Sequence, residues 1–299
     1  MSAQAIATTR PIAHTRKRRA RKIASRSAFY ALIAIFVVIS LFPFYWILVT
    51  SLKTDAALSK GTTSLLPGHI SFGSYRIDFT QTSTTGVNFG RALLNSAIVA
   101  LSATVIAVIL GSLAGYGLAR TRLRGRPVIL GFLLIAGFFP VIAMIGPMFL
   151  SYRKLGLLDT YPGLIISYLI YTLPISIWLL TNYFSQIPAA LKKAAIVDGA
   201  TRLQALRRVI IPVALPGVFT ATIISFILAW NDFLFALSFM TSANHFTAPV
   251  AIVSLGRSQY QVFYNRIDAA VVALTIPVAL IVIFAQKRII SGLTAGALK

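Results

Sequence analysis

The chain has 299 residues, of which 57% are apolar and only 11% charged. A soluble domain carries about 25% charged residues, so the composition excludes a water-soluble globule and places the protein in lipid. Charge is one-sided, with 28 Lys and Arg against six Asp and no Glu, and there is no Cys, which excludes disulfides, thiolate metal sites and cysteine nucleophiles.

Residues 1–28 form a polar arm with eight cations, Arg10, Arg16, Lys17, Arg18, Arg19, Arg21, Lys22 and Arg26. This composition predicts a disordered cytoplasmic segment, solvated or touching lipid headgroups. The apolar run from Phe29 to Val49 has 21 residues, against roughly 7–15 in the core of a signal peptide. No small-x-small cleavage site follows it, so a retained first span is expected over 29–49. Further runs near 93–118, 127–150, 163–184, 216–240 and 269–286 are each long enough to cross about 30 Å of hydrocarbon at about 1.5 Å per residue. The fold class is an all-α polytopic membrane protein of about six transmembrane helices.

Within the second run, Gly111-Ser112-Leu113-Ala114-Gly115-Tyr116-Gly117 has the small-xxx-small spacing that lets another helix approach closely. Pro140 and Pro147 are expected to interrupt the third span and Pro174 the fourth, as is tolerated where helices face protein or a cavity. Cations lie in the gaps between apolar runs. With the N-terminus inside, the arm holds eight, the loop of Arg120, Arg122, Arg124 and Arg126 four, the loop after span four five, and Lys287, Arg288 and Lys299 close the chain. Twenty of 28 cations therefore fall inside, which predicts cytoplasmic N- and C-termini. Cations spread between spans in this way argue for a membrane surface and against nucleic acid.

The loop over 185–215 reads as two short helices. Pro188 suits a first helical turn, Ala189 to Val197 are mostly good helix formers, and Gly199 supplies a stop. Thr201 with Gln204 forms a capping box that opens the second helix, and Pro212 and Pro216 mark re-entry into the membrane. A capped amphipathic helix between two spans suits a groove on a partner protein; a helix lying on lipid is the alternative.

Asp232 is the only acid well inside a predicted span, beside Trp230 and Asn231. An ionisable residue there is a candidate functional group, Trp offers a ring face to a sugar, and Asn and Asp bind hydroxyls. The alternative for Asp232 is a structural pairing. Tyr168 and Tyr171 are further candidates for a substrate pathway, although aromatics near helix ends more often form belts or packing. His14, His69 and His245 are isolated, so no metal site is expected. No phosphate-binding loop, nucleophile elbow or H-E-x-x-H helix is present, and no catalytic residue is assigned.

The pattern Ala194-Ala195-x3-Gly199-x9-Val209-x-Ile211-Pro212 resembles the EAA loop of bacterial ABC importer permeases. The stretch from Ala194 to Ala200 resembles the carbohydrate-importer, maltose-permease-like branch. Thr50-Ser51-Leu52-Lys53, Phe139-Pro140 with Pro147, Arg153-Lys154-Leu155-Gly156-Leu157, Trp230-Asn231-Asp232-Phe233 and Gly292-Leu293-Thr294-Ala295-Gly296-Ala297 extend the resemblance over roughly 29–299. It implies a type I importer permease in a bacterial inner membrane, moving a di- or oligosaccharide or related polyol inward. It implies a second homologous permease, two ATPase subunits that hold ATP and Mg, an extracytoplasmic sugar-binding protein, and no cofactor or enzyme activity on this chain. Coupling to the ATPase would fall to Pro188, Lys193, Ala194, Ala195, Asp198, Gly199, Arg202 and Pro212. Lys193 stands where the family usually has Glu, which reverses a charge at the start of the motif. An ion-coupled secondary transporter is the alternative, against which stand a single off-centre acid and no visible internal repeat.

Overall fold

The computed structural model describes residues 13–59, 64–83, 86–121, 123–255 and 262–294, with side chains between residues 25 and 285. Arg10, Arg122, Lys299 and Ala295-Gly296-Ala297 lie outside the described residues, as do the side chains of His14, Lys287 and Arg288. Among the described residues the fold is helical, without a β-strand.

Helix α1 runs from Ala13 to Ser51 without interruption. Residues 13–28, expected to be disordered, are therefore helical. Arg, Lys and Ala favour helix, and the apolar segment that follows removes the cost of nucleation. Short helices α2 (Asp55–Ser59) and α3 (Gly73–Thr80) follow. Helix α4 (Phe89–Arg120) opens on Asn88, whose side chain accepts from Arg91 N at 3.0 Å.

Helices α5 (Arg126–Gly137) and α6 (Val141–Leu155) meet at 83° around Phe138-Phe139-Pro140. Pro140 has no N–H to continue a helical ladder and disfavours helix in the residue before it. Pro147 lies within α6, and Pro174 within α7 (Tyr161–Gln186), neither of which it interrupts. Pro174 is buried, with Gly137 of α5 packed close beside its ring, and this packing accommodates a proline that sequence alone marks as a break.

Helices α8 (Ala189–Val197), α9 (Arg202–Ala205) and α10 (Ile211–Val213), with a π-turn over Leu206–Ile210, form the loop between spans. Helix α11 (Leu215–Trp230) stops at Asn231, and α12 (Leu234–Phe239) resumes after it, so the expected continuous span over 216–240 is broken. Asn231 Nδ2 donates to Ile227 O at 2.8 Å, and Asp232 Oδ1 accepts from Ala236 N at 3.2 Å. Two side chains thus compete for backbone groups and end one helix while opening the next. Helices α13 (Ala248–Ser254) and α14 (Tyr264–Thr294) complete the chain. Among the described residues four helices are long and apolar enough to cross a membrane, or up to six if each bent pair counts as one span.

The core is built on α4 and α7. A Cβ at Gly111 would lie 2.8 Å from Ser176 Cβ, and one at Gly115 would lie 3.0 Å from Thr181 N, so the two backbones meet through the small-residue stripe. Ser176 Oγ and Ser225 Oγ, 2.8 Å apart, join α7 to α11, and Trp230 Nε1 donates to Leu274 O at 3.2 Å to join α11 to α14. Helix α1 packs on α14 and otherwise exposes Leu32, Phe36, Ile39 and Phe44, the surface expected of a lipid-facing helix.

This packing predicts that Gly111→Val lowers thermal stability in detergent by about 1–3 kcal/mol through overpacking. Gly117→Ala, where an added Cβ meets nothing within 4 Å, should be neutral or stabilising. Equal effects of the two substitutions on the melting temperature would contradict the packing.

Candidate functional site

The loop between α7 and α11 is a stiff elbow because both of its helix ends are closed by backbone chemistry. At the end of α8, Gly199 N donates to Ile196 O at 3.0 Å and Ala200 N to Ala195 O at 2.9 Å. This pair of bonds is the Schellman arrangement, which requires a left-handed residue at its turn; Gly199 has φ +84°. One residue further on, Thr201 Oγ1 accepts from Gln204 N at 3.2 Å and Gln204 Oε1 accepts from Thr201 N at 2.8 Å. The stop of one helix and the start of the next are therefore separated by Ala200 alone. Pro188 occupies the N-cap of α8 rather than its first turn.

The elbow is fastened to the spans. Arg120, at the end of α4, donates from NH2 to Ile187 O at 2.8 Å, and Arg126 NH2 donates to Ser185 Oγ at 2.6 Å. Lys192 Nζ lies 5.5 Å from the centre of the Tyr116 ring, a cation–π contact. Leu206 and Ile210 are buried in one cluster with Leu180 and Phe184 of α7, and Ala205 beside them is also buried. The π-turn sits in this buried stretch, just ahead of Pro212, and the whole segment Arg202–Val213 stands at 83° to α11.

The elbow brings the sequence candidates together but divides their roles. Lys193, Ala194, Asp198, Gly199, Arg202 and Pro212 are exposed. Ala195, expected on the docking surface, is buried at 9% exposure; its carbonyl and methyl serve the elbow's own fold. The outward apolar surface is instead Leu191, Ile196, Val197 and Leu203, with Val197 85% and Leu203 64% exposed. Sequence reading missed these four. The available signal was apolar residues on both sides of a capped turn, which has no reason to carry them unless something covers them.

A second feature lies at the break between α11 and α12. Asn231, Asp232, Tyr171 and Val141 line an open cleft of 450 Å³. Asp232 forms no ion pair among the described residues, and Tyr171 stacks on Phe235 with centroids 6.3 Å apart. Two of the predicted pathway residues do not reach this cleft. Trp230 is buried, stacked on Phe226 at 5.3 Å with its indole N–H given to Leu274. Tyr168 is 1% exposed within the same core cluster.

The end of the bundle opposite the elbow carries a polar lock that sequence reading also missed. Asp159 Oδ1 accepts from Thr241 N at 2.9 Å and Ser242 N at 3.0 Å, its Oδ2 accepts from Ser242 Oγ, and His245 Nδ1 lies 3.1 Å away. Burial pushes this carboxyl's pKa upward, but bonds from Ser242 and Thr241 and the neighbouring His245 outweigh it and hold the pKa below the usual value. Tyr161 donates to Asn95 Oδ1 at 2.7 Å, and Asn95 Nδ2 donates to the carbonyls of Asn244 and Phe246. The segment after α12 is thereby tied to α4 and α7.

Comparison with known proteins gives this geometry its context. Residues 107–291 match the protein family described as binding-protein-dependent transport system inner membrane component. The chain is 42% identical to the trehalose transport system permease protein SugB of Mycobacterium tuberculosis, over 92% of this chain and 99% of that one. It is 37% identical to the trehalose/maltose transport system permease protein MalG of Thermococcus litoralis, over 88% and 92% respectively. Among solved structures, one chain of a bacterial ABC transporter involved in the import of the acidic polysaccharide alginate superposes with a TM-score of 0.73. That match has 28% identity and covers 90% of this chain and 97% of the other. An elbow between spans, broken helices in the bundle and similarity along nearly the whole length agree: the chain belongs to the binding-protein-dependent transport system inner membrane components.

Proposed function

We propose that the chain is the permease subunit of an ATP-binding-cassette importer that carries a sugar, a di- or oligosaccharide or related polyol, into the cytoplasm. The observation that carries this reading is the stiff, span-anchored elbow with an uncovered apolar tip, in a chain similar over most of its length to permeases named for trehalose and maltose. Two ATPase subunits hold ATP and Mg and supply the hydrolysis, and a second homologous permease completes the pathway. An extracytoplasmic binding protein delivers the sugar at the end locked by Asp159.

Closure of the ATPase pair displaces the elbow. Because its two helices are joined by closed caps and its root is held by Arg120 and the Leu206–Ile210 packing, the displacement passes into α7 and α11 instead of being absorbed by a loop. The spans then rock between two packings around the cleft at Asn231 and Asp232, where a carboxylate, a carboxamide and the Tyr171 ring suit sugar hydroxyls and ring faces. Both termini and the elbow lie on the cytoplasmic side.

The orientation is tested in this Cys-free chain by single cysteines at exposed positions. His69→Cys and Asn244→Cys should react with an impermeant maleimide on intact spheroplasts, and Arg124→Cys and Leu203→Cys should not. Labelling of position 203 from outside would reverse the orientation and remove the elbow from the ATPase.

Coupling is tested at Gly199. A β-branched residue at a positive φ costs about 1–3 kcal/mol, so Gly199→Val should reduce uptake at least about tenfold while leaving membrane insertion intact. Gly199→Asn, which tolerates the left-handed region, should retain most activity. Unchanged sugar-stimulated ATP hydrolysis in Gly199→Val would remove the elbow's role.

Asp232→Ala and Asp232→Asn separate a pathway carboxylate from a helix cap, since Asn keeps an acceptor for Ala236 N. A pathway role predicts that both lower sugar uptake while the partner permease still co-purifies. Rescue by Asn, or loss of assembly in Ala alone, would assign Asp232 to structure.

A further inference from the structure

The elbow leaves charge, as well as apolar surface, uncovered. Between Ile187 and Ala214 the chain has five cations and one acid, Asp198. Lys192 is turned inward over the Tyr116 ring. Its neighbour Lys193 is exposed, as are Arg202, Arg207 and Arg208, and none of these four side chains has a hydrogen-bond or ion-pair partner among the described residues. Asp198 lies between Lys193 and Arg202 in sequence yet pairs with neither. Lys193 and Arg202 stand on either side of the turn that also presents Val197 and Leu203.

Any surface that covers Val197 and Leu203 also brings the adjacent cations to its rim, partly out of water. A cation removed from water without a counter-charge is strongly unfavourable, so the covering surface has to bring its own carboxylates, which a guanidinium binds in a two-pronged fashion. Resting on the coupling reading above, we propose that the ATPase subunit receives the elbow in an apolar groove whose rim is acidic, with carboxylates placed to meet Lys193 and Arg202. The membrane is the less suitable occupant. The face of Arg202–Val213 turned to the spans is already filled by Leu206 and Ile210, which pack in one core cluster with Leu180 and Phe184, so the exposed set lies on the other side.

The test uses full-length chain in nanodiscs and the ATPase subunit purified from the same assembly, with association and dissociation followed at several salt concentrations. Lys193→Glu combined with Arg202→Glu should slow association by about tenfold at low salt and remove most of the salt dependence, as rim charges act on encounter. Folding of the elbow is not at stake, because Glu is favoured in the first turn of α9 at 202 and is a good helix former within α8 at 193. Val197→Ser combined with Leu203→Ser should instead speed dissociation. If only the apolar pair matters, docking stands and the acidic rim is wrong. If charge reversal leaves the ATPase rates unchanged and reduces the anionic lipid retained by the chain, the cations serve the membrane and the proposal falls. If neither pair alters binding, the coupling reading falls with it.

Discussion

The stiffness of the loop between α7 and α11 depends on one backbone junction, the back-to-back closure of two helices around Gly199, Ala200 and Thr201. A loop between membrane spans would ordinarily bend under load, since each helix end leaves several backbone groups without partners and free to rearrange. Here the carbonyls of Ala195 and Ile196 are used by the turn, and the amides of Thr201 and Gln204 by the capping box. Few soft dihedrals remain between α8 and the Arg202–Val213 segment. Under the coupling proposed above, stiffness at that point is what would turn a push on the exposed tip into movement of α7 and α11.

The spans show the complementary constraint. Backbone groups inside a bilayer have no water to turn to, so a helix can be broken there only where side chains replace the lost partners. At Asn231 and Asp232 two polar side chains do this, and the break places a carboxylate and a carboxamide beside an open cleft inside an apolar bundle. At Phe138-Phe139-Pro140 the break follows from a missing donor, leaving Phe138 77% exposed, a surface that lipid or a second subunit can cover. Rigidity is concentrated between these breaks, in the close approach of α4 and α7 through Gly111 and Gly115.

Much of this was legible in the sequence because the signals are local. Gly199, the Thr201–Gln204 pair and Pro140 each act through their own backbone, and their spacing alone predicts a turn, a cap and a bend. Signals that depend on neighbours were misleading. Pro174 reads as an interruption, but packing beside Gly137 keeps α7 continuous. Trp230 reads as a sugar-stacking residue, yet α14 supplies an acceptor that draws its indole into the core. Ala195 looks like part of a smooth docking face and is turned inward, while the outward Val197 and Leu203 were passed over because apolar residues in an amphipathic helix normally face the core. The helix over 13–28 escaped notice because its charge density resembles that of a disordered arm, although the residues themselves are good helix formers once a span nucleates them. The lock at Asp159 joins residues more than eighty positions apart and has no local signature.

Whether the elbow moves as a rigid body and carries the spans with it can be read from pulsed electron-spin distances in the assembled transporter, with and without trapped ATP. Labels at Ala190 and Arg207 report across the junction, and labels at Arg207 and Ile276 report from the elbow to α14. A rigid elbow gives a narrow 190–207 distribution that is the same in both states, with a shift in the 207–276 distance on ATP binding. A 190–207 distance that broadens or changes while 207–276 stays fixed would show that the elbow absorbs the stroke, and would contradict rigid-body motion.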